Sequence, residues 1–129
     1  MEKSIEQLSL MFNELQNSSL KTFEEVKEMR KLMGVYLIYS HKGDILYIGS
    51  TNNFFVRFGT DLKYASTHTL INKLIKATIH ETSDEVRDYF TNHYKYKIHL
   101  CDNKREAEAL EHLAIWILNP KYNHNYLPE

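Results

Sequence analysis

A chain of 129 residues with 43% hydrophobic and 26% charged residues has the size and balance of one globular domain. No apolar run approaches the roughly 20 residues of a membrane-spanning helix, and a net charge of −1 is not the balance of a protein that coats nucleic acid. One cysteine, Cys101, excludes an internal disulfide and any multi-cysteine zinc site, and its solitude suits a reducing, cytoplasmic setting.

The first residues carry acids and no apolar core of a leader, so no secretory signal is expected. Residues 1–32 read as a helical extension. Ile5, Leu8, Phe12 and Leu15 recur at helical spacing, and Ser4 with Gln7 has the form of a capping box. Asn17, Ser18 and Ser19 interrupt the stripe. Thr22 with Glu25 forms a second box that opens a helix through Phe23, Val26 and Arg30 to about Leu32. Five bases face six acids over this stretch, which makes it a poor clamp for a polyanion. The apolar stripe needs cover, either from the rest of the chain or from a second copy, giving a monomer or a homodimer through these helices.

Val35 to Tyr39 and Ile45 to Ile48 are β-branched and aromatic runs around His41-Lys42-Gly43-Asp44, which has turn chemistry, so a hairpin is predicted. Asn52 or Asn53 suits the cap of a helix carrying Phe54, Phe55, Arg57 and Phe58. Leu70, Leu74, Ile75 and Ile79 suggest a further helix, and Thr82 with Glu85 opens another. Arg57, Lys63, Lys73 and Lys76 oppose only Asp61 between Ser50 and Lys76, so this stretch is the expected anion-facing surface. Tyr94 to Cys101 alternates in part and reads as a strand. Asn103 with Glu106 caps a helix from about Lys104 to Leu118, stopped by Pro120. The order predicts an α+β fold: a small antiparallel β-sheet of about three strands flanked by helices, with an N-terminal helical extension.

Two tripeptides, Gly34-Val35-Tyr36 and Tyr47-Ile48-Gly49, stand on either side of the hairpin turn. Arg57 follows Tyr47 by ten residues, Glu111 lies in the late helix within EAEALEHLAIWILNPKYN, and Asn123 closes that segment twelve residues later. In these features the chain resembles the GIY-YIG nuclease family over about residues 33–125. The resemblance implies a nuclease domain over 33–129, an endonuclease that hydrolyses DNA phosphodiesters, and a divalent cation, Mg²⁺ or Mn²⁺. It implies Glu111 as the metal ligand, Arg57 on the scissile phosphate, Tyr36 as general base with Tyr47 beside it, and Asn123 as the closing residue of the catalytic set.

The chemistry agrees with those residue types. Phosphodiester hydrolysis needs an activated water, charge stabilisation on the phosphoryl oxygens and help for the leaving oxygen. Mg²⁺ keeps several waters and is content with one carboxylate, and an arginine fork matches a phosphate better than a lysine. A phenol with a pKa near 10 is only about one part in a thousand ionised at pH 7, a handicap of roughly 4 kcal/mol that nearby positive charge would offset. Gly34 and Gly49 let backbone and phosphate approach closely. Gly49, Ser50, Lys63 and Lys73 are the expected substrate contacts.

One position departs from the family pattern. Where many relatives carry a histidine, tyrosine or lysine one turn after the arginine, this chain has Asp61, with Tyr64 and His68 as neighbouring candidates for the proton relay. The alternative reading, a non-catalytic nucleic-acid-binding or assembly module that keeps the fold, rests on Asp61 and the near-neutral charge. The seven histidines form no paired zinc spacing. Tyr89, Tyr94, Tyr96, Tyr122 and Tyr126 read as packing residues before base-stacking ones.

Overall fold

A computed structural model describes residues 5–29, 32–54 and 83–123 of the chain. The helical stripe of the N-terminus winds into α1 (Ile5–Asn17), which buries Phe12 and Leu15. Ile5, at 83% exposure, lies beyond the part of the stripe that is covered. Thr22 and Glu25 form the expected capping box: Glu25 N–H donates to the Thr22 hydroxyl at 3.2 Å, and Thr22 N–H donates to the Glu25 carboxylate at 2.8 Å. The helix they open, α2 (Phe23–Lys27), is shorter than its sequence pattern suggests. It buries only Phe23 and Val26, and turns at Met29 and Leu32 then redirect the chain toward the first strand. The proposed Ser4 cap lies outside the described residues.

β1 (Gly34–Tyr39) and β2 (Ile45–Thr51) form the hairpin. Ser40 closes its turn with both backbone and side chain: its N–H donates to the Asp44 carbonyl, and its hydroxyl accepts from Lys42 N–H and Asp44 N–H. Gly43 sits at φ +94°, a conformation that penalises any residue with a Cβ. A register shift between Ile38 and Tyr39 bulges Leu46 out of the pairing. α3 (Ser83–Asn92) leads into β3 (Lys95–Leu100), which pairs antiparallel with β1, giving the sheet order β2-β1-β3.

Strand alternation divides the core between the two sheet faces. Val35, Leu37 and Ile48 meet Phe12 and Leu15 of α1 on one face. The same cluster takes Ala107, Leu110, Ala114 and Ile115 from the last helix, α4 (Lys104–Leu118). Tyr36, Ile38, Tyr96 and Ile98 meet Phe23 and Val26 of α2, Phe90 of α3 and Phe54 on the other. The observed architecture is therefore α+β, a three-stranded antiparallel sheet with helices on both faces, and the N-terminal helices are part of its packing.

α4 begins where Asn103 accepts from Glu106 N–H at 2.8 Å. It ends at Asn119, whose left-handed conformation (φ 48°) terminates the helix one residue before Pro120. Beyond it the chain returns along β2: Lys121 and Tyr122 donate to the Ile45 and Leu46 carbonyls. On the opposite edge, Lys21 exchanges two backbone hydrogen bonds with Tyr96. Both edges thus have neighbours that limit pairing with another chain. Among the described residues no helix is long and apolar enough to cross a membrane.

Candidate active site

Tyr36 lies on the central strand and pairs with Gly49 across the hairpin. Its ring packs against Tyr47 at 6.4 Å and edge-on against Phe54 at 6.3 Å between centroids. The side chain is 1% exposed, whereas Tyr47 is half-buried. A Cβ added to Gly49 would stand 2.5 Å from the Tyr36 hydroxyl oxygen, so the glycine makes room for that phenol. Gly34 has a different reason: a Cβ there would meet the His99 carbonyl oxygen at 2.2 Å. The sequence suggested that both glycines let backbone and phosphate approach closely. What the structure adds is a packing reason for each, because the protein itself fills the space that each missing side chain leaves.

Successive residues of β2 face opposite sides, so Ser50 turns away from Tyr36 and toward α4. Its register partner is Val35, whose side chain belongs to the α4-facing cluster. There the Ser50 hydroxyl donates to Glu111 Oε1 at 2.6 Å. Glu111 stands on α4 one turn from Ala107 and Ala114, both buried, and is itself half-buried. Its second oxygen, Oε2, makes no hydrogen bond or ion pair among the described residues. A cleft of about 270 Å³ lies beside Ser50, lined also by Thr51 and Asn52 from β2 and the turn after it, and by Lys104, Ala107 and Glu108 from α4, with Met33.

Asn123 supports this strand from its outer edge. Its side-chain amide donates to the Ile48 carbonyl and accepts from Ile48 N–H, each at 3.0 Å, and the residue is buried. One side chain therefore completes the pairing that an additional strand residue would provide. At the end of β2 the Thr51 hydroxyl accepts from Asn53 N–H at 3.1 Å, while Phe54 N–H donates to the Leu32 carbonyl. These bonds fix the turn from β2 to Phe54. Arg57, Asp61, Lys63, Tyr64, His68 and Lys73 lie outside the described residues.

At this end of the hairpin Tyr36, Tyr47 and Gly49 lie on one face of the sheet, Ser50 and Glu111 lie on the other, and Asn123 braces the outer edge of β2. Among the described residues no group of three or more histidine, cysteine, aspartate or glutamate side chains could hold a metal ion. A single carboxylate whose second oxygen has no partner among the described residues does fit a heavily hydrated divalent cation, which needs few protein ligands. Tyr94, Tyr96 and Tyr122 are core residues, and the Tyr96 hydroxyl donates to the Phe90 carbonyl at 2.7 Å. Tyr126 is outside the described residues.

Residues 32–123 match the GIY-YIG catalytic domain. The chain belongs to this family. GIY-YIG domains are a nuclease fold, and solved members have the same architecture. The N-terminal GIY-YIG endonuclease domain of UvrC from Thermotoga maritima, as a tyrosine-to-phenylalanine point mutant bound to its catalytic divalent cation, superposes with a TM-score of 0.51 at 20% identity. The match covers 78% of this chain and 94% of that domain. A second such mutant gives a TM-score of 0.50 at 23% identity, covering 78% and 96%. The same domain bound to magnesium aligns at 20% identity with a TM-score of 0.48. At these identities the likeness is one of fold. No curated protein matches the chain.

Two features of the GIY-YIG site are not evident in the motif alone. Ser50, an expected substrate contact, has its hydroxyl on Glu111; alternation from Gly49 and the hairpin register are the sequence signals that would place it on the α4 side. Lys104, at the cleft, has the weaker signal of a base in the first turn of the helix that carries Glu111.

Proposed function

We propose that this GIY-YIG domain is a divalent-cation-dependent endonuclease that hydrolyses DNA phosphodiesters. The observation that carries the reading is Glu111: a half-buried carboxylate, held through one oxygen and with no partner for the other among the described residues, on the helix that packs behind the Tyr-Ile-Gly strand. Glu111 would hold the cation, Mg²⁺ or Mn²⁺. Bound there, the cation supplies Lewis-acid polarisation of the phosphate and support for the leaving oxygen.

The chain's own groups provide the rest. Tyr36 accepts the proton of the attacking water, and Tyr47, beside it, orients that hydroxyl. Arg57 neutralises the phosphoryl oxygens with a permanently charged fork. Lys63 and Lys73 contact the DNA backbone, and Asp61, Tyr64 or His68 carries the proton onward. Asn123 acts through Ile48, keeping β2 straight where Gly49 and Ser50 face the two halves of the site.

The exposure of Tyr36, only 1%, favours the alternative of a non-catalytic nucleic-acid-binding module, because a proton acceptor must meet water. Incubation with plasmid, linear and single-stranded DNA decides between the two. Mg²⁺-dependent cutting that EDTA abolishes and that Glu111→Ala reduces by at least about 100-fold is expected, since even outer partners of a metal ligand cost 10- to 100-fold. DNA binding with no cutting under any of these conditions would establish the non-catalytic module. Equal cutting by Glu111→Ala would remove Glu111 from the mechanism.

A further inference from the structure

We infer that Ser50 is a positioning residue for Glu111, setting the carboxylate in the one orientation that leaves Oε2 for the cation. The inference rests on the proposed role of Glu111 as metal ligand and adds a residue that acts through it. Four observations converge on it. The 2.6 Å separation falls in the range of a charge-assisted O–H···O⁻ bond, the stronger class of hydrogen bond. Ser50 is fixed in β2 by its pairing with Val35, and Asn123 clamps Ile48 two residues earlier, so the donor stands on a rigid rib. Glu111 has Ala107, Ala114 and Ile115 on its own helix, none of which can offer a competing donor. A serine hydroxyl has one proton, and here it goes to Glu111, so it is not free to donate to a DNA phosphate at the same time.

The energetic argument is one of preorganisation. A glutamate has three side-chain torsions, and a carboxylate that must stop rotating when a cation binds loses affinity for it. The hydroxyl fixes those torsions beforehand, as partners of metal ligands commonly do. The arrangement also couples the two halves of the site: Gly49 receives the Tyr36 phenol on one sheet face, and the next residue aims the carboxylate on the other.

The test measures Mn²⁺ binding by electron paramagnetic resonance on the full chain, alongside DNA binding by fluorescence anisotropy in EDTA. Ser50→Ala is expected to raise the Mn²⁺ Kd by about 10- to 100-fold while leaving metal-free DNA affinity unchanged. Ser50→Thr, which keeps the hydroxyl, should bind Mn²⁺ nearly as the parent does. Ser50→Val, the same shape without the hydroxyl, should behave as Ser50→Ala, so the Thr and Val pair gives the answer even if the alanine variant folds poorly. Parent-like Mn²⁺ binding in both Ala and Val variants, or loss of DNA affinity in EDTA, overturns the positioning role and returns Ser50 to the substrate surface. Failure of the underlying reading looks different: Glu111→Ala would then bind Mn²⁺ as tightly as the parent, or the parent would bind none.

Discussion

Gly34, Gly43 and Gly49 are glycines for three separate physical reasons, and the difference is measurable. Gly34 faces a backbone carbonyl that cannot yield, Gly49 faces the end of a buried tyrosine, and Gly43 faces open space in a left-handed conformation. Gly43→Ala should cost about 1–2 kcal/mol from backbone strain alone. Gly49→Ala should cost about 1–3 kcal/mol as an overpacked core position. Gly34→Ala should equal or exceed that, because it pushes β1 away from β3. Urea unfolding of the three variants checks this order. Adding Tyr36→Phe to Gly49→Ala should restore stability only in part, since the ring carbon that bears the hydroxyl would still lie 2.6 Å from the new Cβ. Equal stability of Gly34→Ala and the parent would mean that β3 does not press on that position. The pairing of glycine with tyrosine was legible in the sequence as a motif. Its cause was not, because the sequence does not show that the Tyr36 hydroxyl ends over Gly49. Asn123 makes the same point: its partner, Ile48, lies 75 residues away, and only the return of the chain along β2 brings them together.

Elements with a local signature were readable, and those shaped by tertiary packing were less so. The hairpin follows from Ser40 to Asp44, and α4 follows from Asn103 at one end and Asn119-Pro120 at the other. α2 ends at Lys27 with Phe23 and Val26 buried, and Met29 packs against the same cluster from the turn that follows, so the apolar spacing outlasts the helix. The stripe on α1 was readable as a surface in need of cover, but its partner was not. The structure supplies it from the chain itself: Phe12 and Leu15 join Val35, Leu37, Leu110 and Ala114. His99 Nε2 and the Glu14 carboxylate meet at hydrogen-bond distance, 3.0 Å, between β3 and α1. Deleting residues 1–20 uncovers that cluster, so the melting temperature should fall and the truncated protein should tend to associate through the exposed sheet face. Exposing two large side chains' worth of contact corresponds to about 3–6 kcal/mol. Scanning calorimetry and sedimentation velocity make the comparison. A truncated chain with the parent's melting temperature and weakened DNA binding would instead make α1 a substrate-binding element.

At the scale of the whole molecule the sheet separates an aliphatic core from one rich in tyrosine, and this asymmetry sets how stability responds to pH. Tyr36, Tyr94, Tyr96 and Tyr122 all belong to the cluster beneath α2 and α3. Burial pushes the phenols of Tyr94 and Tyr96 far above their ordinary range, and neighbouring tyrosines add to the effect. Burial likewise raises Tyr39 and Tyr122. On the other side of the sheet, burial and then the nearby Glu106 and Asp102 push the Cys101 thiol up to about 11. In each case the folded protein holds its proton at a pH where the unfolded chain has begun to release it. The unfolded state therefore binds fewer protons, and stability falls as pH rises. The contribution is whole below the unfolded values, about 8.5 for cysteine and about 10 for tyrosine, and is lost as pH climbs toward the raised folded values. Urea midpoints should be insensitive to these groups around neutrality and decline from about pH 9 upward, steeply above about 10. Tyrosinate absorbance at high pH should contain a component that appears together with loss of the circular dichroism signal, because the buried phenols ionise only when the core opens. If all nine tyrosines titrate smoothly near their ordinary value while the fold persists, the phenols of this core are in contact with water and the tight packing around Tyr36 and Tyr96 does not hold in solution.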